Sequence, residues 1–334
     1  MTQSQSTSAS GETGTTPAAG PVSTQVESAS GSVESVLRTA KAVDARTVDG
    51  PGGRTVAYAE YGDPDGVPVL FFHGTPGSRL LGGLYDRPAR ERGVRLLAPD
   101  RPGYGESDPW RGHTLADTGA FVSPVLDDAG VESVGVVGFS GGGPHALALA
   151  ATHGERVRSV DLVAGAAPRD CLENEPRPQR VLGTLATRTP RLLGALLRGQ
   201  SWVARRASPS LTVSQFTSDG DAVGPGGATA GVDAVPDDTA ALVKRDFCEA
   251  LGRSRNGAVT ESRLLAAEWD FSLGAVDCPV RLTHGERDGN VPVAAARRLA
   301  DRLGADPTVT GADHLGTLLD SRESVLDAQV ADGE

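Results

Sequence analysis

"GVVGFSGGGPHALALA", residues Gly135 to Ala150, carries an apolar run straight into a serine boxed in by glycines, and an Ala/Leu-rich segment follows at once. The first part reads as a buried strand and the last as a helix. Glycines at such a junction let two backbones approach where a side chain would clash. Gly138-Phe139-Ser140-Gly141-Gly142 fits G-x-S-x-G, the sharp strand-to-helix turn that lifts a serine hydroxyl above a sheet. With 43 glycines in the chain the pattern alone is weak, and its strand-turn-helix context decides the reading. The helix start directs free N–H groups and its positive dipole end at the serine oxygen. Pro144 falls in the first turn, where a missing N–H costs nothing.

Outward from this turn the chain alternates strands and helices. "RTVAYAEYG", "VPVLFFHG", "VRLLAPD", "SVGVVGF", "VRSVDLVAGAAP", "CPVRLTHGERD" and "PTVTGAD" read as strands. "LADTGAFVSPVLDDAG" reads as a helix that Pro124 should kink or shorten; "VPVAAARRLADRLG" and "RESVLDAQV" read as further helices. Such alternation predicts an α/β fold: a mostly parallel sheet with helices on both faces. Between residues 170 and 269 the strands vanish. "PRLLGALLRGQSWVARRA", "DDTAALVKRDFCEALG" and "ESRLLAAEW" predict a helical cap insertion, with the glycine-rich loop "TSDGDAVGPGGATAG" between the first two. Residues 45–169 and 270–334 would form the core. Residues 1–44 are rich in Ser, Thr, Gly and Ala and predict a disordered tail, with a short helix at "VESVLRTAKAV".

A serine needs a base, and six histidines compete. His314, in "TVTGADHLGT", follows the last strand at the carboxyl edge of the sheet, as Ser140 does. His145 reads as a packed residue of the helix after the turn, His284 as a weaker candidate at a strand end, and His113 and His153 as surface residues. The imidazole needs a carboxylate to fix its tautomer. Asp288, on the loop after the penultimate strand, suits; Glu286 is its rival, Asp313 is too close in sequence to His314, and Asp170 is remote. "FFHGTPGSRL" supplies a second turn, in which His73 and Gly74 support the Thr75 N–H as one oxyanion donor, the Gly141 N–H being the other, while Gly138 and Gly142 support the serine turn.

The order oxyanion turn, serine, aspartate, histidine resembles the α/β-hydrolase superfamily. "HGTPGSR", "DRPGYGESD", "VVGFSGGGPHALALAA", "HGERDGNVP" and "GADHLG" resemble its cap-bearing single-domain serine hydrolases over residues 46 to 168 and 270 to 334. The resemblance implies an eight-stranded sheet and a cofactor-free, metal-free triad with nucleophile Ser140, acid Asp288 and base His314. It departs at Asp313, where the family often has glycine, and at "HGTPG", which differs from the "HGGPG" common in proline iminopeptidases. No acidic residue stands at the serine position, which disfavours epoxide hydrolase and haloalkane dehalogenase chemistry. The expected activity is cleavage of a small or medium carboxylic ester. The alternatives are C–C or amide hydrolysis with the same triad, or a non-catalytic ligand-binding protein of this fold.

Composition narrows the partners to a small-molecule substrate. A net charge of −11 argues against nucleic acid, whose phosphates need clustered Lys and Arg to neutralise them. No apolar run reaches the roughly 18 residues of a membrane span, and the N-terminal stretch lacks the basic and apolar regions of a secretory signal. Cys171, Cys248 and Cys278 make an odd number without C-x-x-C spacing, which suits a reduced, cytoplasmic setting. In "RLLGALLRGQSW", Leu192, Leu193, Leu196 and Leu197 form one apolar face opposite arginines, to pack on the core, to line part of an acyl pocket or, given the local basic charge, to lie on a membrane surface. Only two lysines, Lys41 and Lys244, occur among many acids, which points to a high-salt habitat or a GC-rich genome. Self-repulsion at this net charge is screened by ions. The melting temperature is therefore expected to climb between low salt and molar KCl; a flat curve would leave the lysine shortage a genomic bias.

Overall fold

A computed structural model describes residues 45–173, 177–217 and 231–333. The tail 1–44, with the helix expected in it, and most of the glycine-rich loop lie outside the described residues. The strands are β1 (Arg46–Gly50), β2 (Arg54–Gly62), β3 (Val67–Phe72), β4 (Val94–Pro99), β5 (Val134–Phe139), β6 (Val157–Val163), β7 (Val280–Gly285) and β8 (Thr308–Thr310). The helices of the core are α1 (Asp86–Glu91), α2 (Thr118–Asp128) and α3 (Gly143–Thr152). Then come α4 (Arg177–Arg188), α5 (Pro190–Arg206), α6 (Pro209–Val213), α7 (Asp237–Ala250) and α8 (Asn256–Leu265), and after β7 the core helices α9 (Val293–Leu303) and α10 (His314–Ala331).

The eight strands form one sheet in the order β1-β2-β4-β3-β5-β6-β7-β8. Pairing is parallel from β4 through β8; β2 runs against both its neighbours. Alternation along the central strands feeds two apolar layers. Leu70, Phe72, Val134 and Val136 pack with α2, α3 and α9 on one face. Val69, Phe71, Val137 and Phe139 pack with α1 and α10 on the other. β1 is absent from the sequence reading because "RTVDG" has only one large apolar residue; it pairs with β2 across a turn in which Gly52 and Gly53 hold φ of 67° and 69°. α2 runs through Pro124, from Thr118 to Asp128, so the proline does not end the helix, which covers 11 residues of the expected stretch. The last helix begins at His314, eight positions before the expected "RESVLDAQV", because Asp313 caps it by accepting from the Gly316 N–H at 2.8 Å.

Helices α4 to α8 lie between β6 and β7 as the helical insertion. Their joints with the core combine apolar packing, with Leu242 and Val243 of α7 in one cluster with Leu81 and Leu84, and buried polar contacts. Asp246 of α7 accepts from the Ser78 N–H and hydroxyl at 2.7 Å each. Glu249 and Asp100 share the Arg79 guanidinium at 2.9 and 2.7 Å. Glu261 of α8 reaches Arg101 at 3.1 Å. On α5 the expected four-leucine face divides. Leu193 and Leu197 are buried, whereas Leu192 and Leu196 are exposed, because one helical residue turns about 100° and four leucines in two adjacent pairs span too wide an arc for a single contact.

Burial pushes the Asp246 carboxyl up to about 7, against the pull of its bonds from Ser78. The folded protein therefore holds this proton where the unfolded chain has lost it. Stability tied to the protonated carboxyl is present below about pH 4 and is lost as pH rises through 7. Asp246→Asn is expected to leave the melting temperature near wild type at about pH 3.5, below the unfolded carboxyl value. At pH 8.5 it should raise stability by on the order of 2–4 kcal/mol. An equal gain at both pH values would assign the effect to packing instead of charge.

Candidate active site

Ser140 follows β5 with φ of 52°, a left-handed conformation that a serine adopts only when its surroundings hold it there. The glycines around it have specific neighbours. A Cβ on Gly142 would stand 2.3 Å from the Phe72 carbonyl oxygen, and one on Gly138 2.9 Å from Gly143 Cα. A Cβ on Gly141 would stand 2.1 Å from Thr75 Oγ1. The Ser140 carbonyl accepts from the Ala166 N–H at 2.9 Å, which ties the turn to the end of β6. Because β3 and β5 are adjacent, with Phe72 opposite Gly138, the turn after each opens at the same edge. Thr75 and Gly141 are thereby brought together beside Ser140, and among the described residues the Thr75 N–H has no acceptor.

β7 and β8 bring the other two residues together. The Glu286 N–H donates to the Thr310 carbonyl at 2.8 Å and the Arg287 N–H to the Ala312 carbonyl at 3.1 Å. Those bonds fasten the two loops, and His314 Nδ1 lies 2.7 Å from Asp288 Oδ2. The second oxygen, Asp288 Oδ1, accepts from the Asn290 and Val291 N–H groups at 2.8 Å each. Burial works to raise this carboxyl, but the His314 and His284 rings and the Val291 N–H outweigh it and hold it below the usual carboxylate range. The His314 ring packs on Phe139, the residue before Ser140, with centroids 5.0 Å apart. Among the described residues no hydrogen bond joins Ser140 Oγ to the ring; such contacts often close only when substrate is present.

The rivals are engaged elsewhere. Asp313 caps α10 and accepts from the Gly231 N–H at 2.7 Å. Glu286 is exposed, and Asp170 pairs with Arg302 at 2.7 Å. His284 donates from Nε2 to the Val291 carbonyl at 2.8 Å, with the same nitrogen 3.3 Å from Asp288. Burial lowers its pKa, so it backs the carboxylate as a neutral ring. His113, expected at the surface, is buried and stacked on Trp110, since its Nδ1 bonds to the Trp110 carbonyl.

A buried network joins the cap to the first turn, and the sequence reading missed it. Arg101 donates to the carbonyls of His73 and Gly74 and to Thr75 Oγ1, while its Nε meets Glu261. Glu261 also accepts from His145 Nε2 at 2.7 Å, and Thr118 donates to His145 Nδ1 at 2.8 Å. His73 closes the turn by donating to the Gly74 carbonyl at 2.8 Å and accepting from the Arg101 N–H at 3.3 Å. Burial lowers the pKa of both His73 and His145, so both rings are neutral. Burial would raise Glu261, but Arg101 and His145 outweigh it and hold it far below the usual range. The one available signal was Arg101 within "DRPGYGESD"; nothing in "ESRLLAAEW" separates Glu261 from a surface acid.

The sequence profile of the alpha/beta hydrolase fold matches residues 67–310. The chain belongs to this family. Relatives within the alpha/beta hydrolases differ in their chemistry. A non-heme chloroperoxidase of Streptomyces lividans is 27% identical over 79% of this chain and 89% of its own. An uncharacterized hydrolase of Bacillus subtilis is 34% identical, but the match spans only 33% of this chain and 38% of that protein. A proline iminopeptidase of Neisseria gonorrhoeae is 34% identical over 32% of this chain and 35% of its own. Among solved structures, an esterase from Exiguobacterium antarcticum superposes with a TM-score of 0.63 at 20% identity, covering 87% of this chain and 99% of that one. A bromoperoxidase from Bacillus anthracis gives 0.64 at 19%, covering 86% and 100%. At such identities these likenesses show the fold.

Glu261→Gln would leave the Arg101 charge buried without a counter-ion. The expected cost is about 3–5 kcal/mol in urea unfolding at pH 7. The pKa of Glu261 is depressed, so its stabilisation is present above the unfolded carboxylate value of about 4.3 and is lost as pH falls toward the folded one. The difference between variant and wild type should therefore shrink in acid. A loss under about 1 kcal/mol at pH 7 would mean that water reaches the guanidinium.

Proposed function

We propose that this hydrolase-fold protein cleaves uncharged carboxylic esters of small or medium size through an acyl-serine intermediate. Ser140, His314 and Asp288 are the triad in this reading, and the N–H groups of Thr75 and Gly141 hold the oxyanion. The observation that carries it is the cavity over Ser140. It has a volume of about 470 Å³, within the usual range for small-molecule sites. Thr75, Pro76, Ser140 and Gly141 form one side, and Leu182, Leu197, Leu265, Phe216 and Val291 contribute apolar wall. Among the described residues no charged side chain lines it. An aminopeptidase must hold an ammonium group, and a carboxylate would be expected in the wall for that purpose. A neutral, mainly apolar acyl ester fits the lining better.

In this mechanism His314 Nε2 takes the Ser140 hydroxyl proton as the oxygen attacks the acyl carbonyl. Asp288 keeps Nδ1 protonated, so that Nε2 is the free base, and stabilises the imidazolium that forms. The tetrahedral oxyanion develops between the Thr75 and Gly141 N–H groups. Collapse breaks the C–O bond to the alcohol, which leaves with the proton from His314. Water then attacks the acyl-serine by the same route and releases the acid. Arg101, by gripping the carbonyls of His73 and Gly74, fixes the direction of the Thr75 N–H; it positions the turn without touching substrate.

A fluorophosphonate probe should label wild type and spare Ser140→Ala. With p-nitrophenyl esters, Ser140→Ala and His314→Ala should each lower kcat by roughly 10⁶, and the double variant should be scarcely worse. Asp288→Asn should cost on the order of 10⁴, because it spoils the tautomer alone. Full activity in Ser140→Ala would remove the proposal; full activity in Asp288→Asn would remove its acid. Leu182 lines the cavity and is partly exposed, so replacing it need not unfold the cap. Leu182→Asp should reduce kcat/KM for octanoate esters about tenfold more than for acetate esters.

A further inference from the structure

The described large apolar residues that stand exposed are Val181, Leu182, Leu192, Leu196, Trp202, Val203 and Leu211, at 39% to 58% of full exposure. All seven fall on α4, α5 and α6. The same stretch, residues 177–217, contains seven arginines and no aspartate or glutamate, in a chain of net charge −11. All seven guanidiniums are exposed, and among the described residues none pairs with a carboxylate.

The faces of α5 separate by function. Leu193, Leu197, Ser201 and Ala204 are buried against the cap interior. Leu192, Leu196 and Val203 form a second, exposed apolar stripe at spacings of four and seven. Arg191, Arg198, Trp202 and Arg205 form a third stripe beside it, with the Arg206 guanidinium over the Trp202 ring at 4.1 Å. Arg191 and Arg198 also border a cleft of about 790 Å³ shared with Arg111, Arg253, Arg255 and Arg263, and among the described residues no acidic one lines it. The positive surface thus continues from the cap onto the core loop after β4.

We propose that this face of the cap docks the protein on an anionic lipid surface. The combination is that of a helix lying in the interfacial plane: leucine, valine and tryptophan entering the headgroup boundary, and arginines meeting phosphate oxygens. Charge complementarity selects the partner. A purely apolar patch would suit any hydrophobic surface, but seven arginines with no carboxylate partner among the described residues, on an otherwise acidic protein, suit a dense negative one. The cleft adds room for lipid phosphate groups beside the apolar stripe. Leu182 belongs both to the exposed set and to the lining of the cavity over Ser140, so the docked face adjoins a route to that cavity.

The test measures binding, and it stands apart from catalysis because Ser140→Ala should dock as wild type does. The full-length protein is sedimented with vesicles of phosphatidylcholine containing 30 mol% phosphatidylglycerol, and with pure phosphatidylcholine, at 50 and 500 mM NaCl. Wild type should partition onto the anionic vesicles alone, with a blue shift of tryptophan fluorescence that Trp202→Phe reduces. The partition coefficient should fall at least tenfold at the higher salt. Arg191→Gln/Arg198→Gln/Arg205→Gln should lower it on the order of a hundredfold, at about fivefold per arginine. Leu196→Ser/Trp202→Ser should weaken it while leaving circular dichroism unchanged, since both side chains are exposed. The net negative charge of the whole molecule opposes binding, so partition of wild type alone would be decisive. No enrichment on anionic vesicles, or equal enrichment of the triple variant, overturns the proposal. So does a dimer in sedimentation equilibrium that the same substitutions dissociate, because the face would then belong to a second copy.

Discussion

The approach of two backbones at the edge of the sheet governs this molecule. Gly142 sits against the Phe72 carbonyl at a distance no side chain could share. That contact lets the turn after β5 fold back over the end of β3. Ser140 then rests in a left-handed conformation, and its turn lies beside Thr75. The strain of order 1–3 kcal/mol at such a residue is carried by the strands that flank it, whose residues are buried on both faces. The parallel order β4-β3-β5 has its switch point here, where crossovers leave on opposite faces and open a crevice.

A second constraint acts from above. Two buried acidic residues of the cap, Asp246 and Glu261, and the half-buried Glu249 meet serine and arginine partners from the core. Each interaction is costly to break and contributes little beyond what apolar packing would give. Their value lies in placement. Arg101 spends its donors on two carbonyls of the first turn and on Glu261, so the cap helix α8 and the Thr75 turn cannot shift independently. The same helix presents Ser262 and Leu265 to the cavity and Arg263 to the basic cleft. Substrate lining, turn geometry and the outer surface are therefore coupled through one short helix.

The cap combines an uncharged inside with a strongly basic outside. Leucines one residue apart serve the two purposes: Leu197 lines the cavity, while Leu196 faces solvent. The arrangement suits the apolar-ester hydrolysis and the lipid docking proposed above, since apolar esters concentrate at lipid surfaces. In that proposal the acidic remainder of the chain would be repelled by an anionic surface, leaving the basic face as the point of approach.

The sequence alone determined the α/β architecture, because strand and helix periods and glycine placement are local properties of consecutive residues. It also marked Ser140, Asp288 and His314, since each stands in a turn after an apolar strand and parallel strands end at one edge. Short β1, with a single large apolar residue, and the helix Arg177–Arg188, with its low apolar content, left no such local pattern. Tertiary structure decided what depends on partners distant in sequence. Asp313 became a helix cap and Asp288 the carboxylate at His314 because β7 and β8 pair and fix their loops in register. Arg101 and Glu261 lie 160 residues apart, and only the seating of the cap turns two ordinary charged residues into a buried pair. The split of the α5 leucines into cavity wall and exposed stripe follows from where the helix axis rests on the core, which no periodicity specifies.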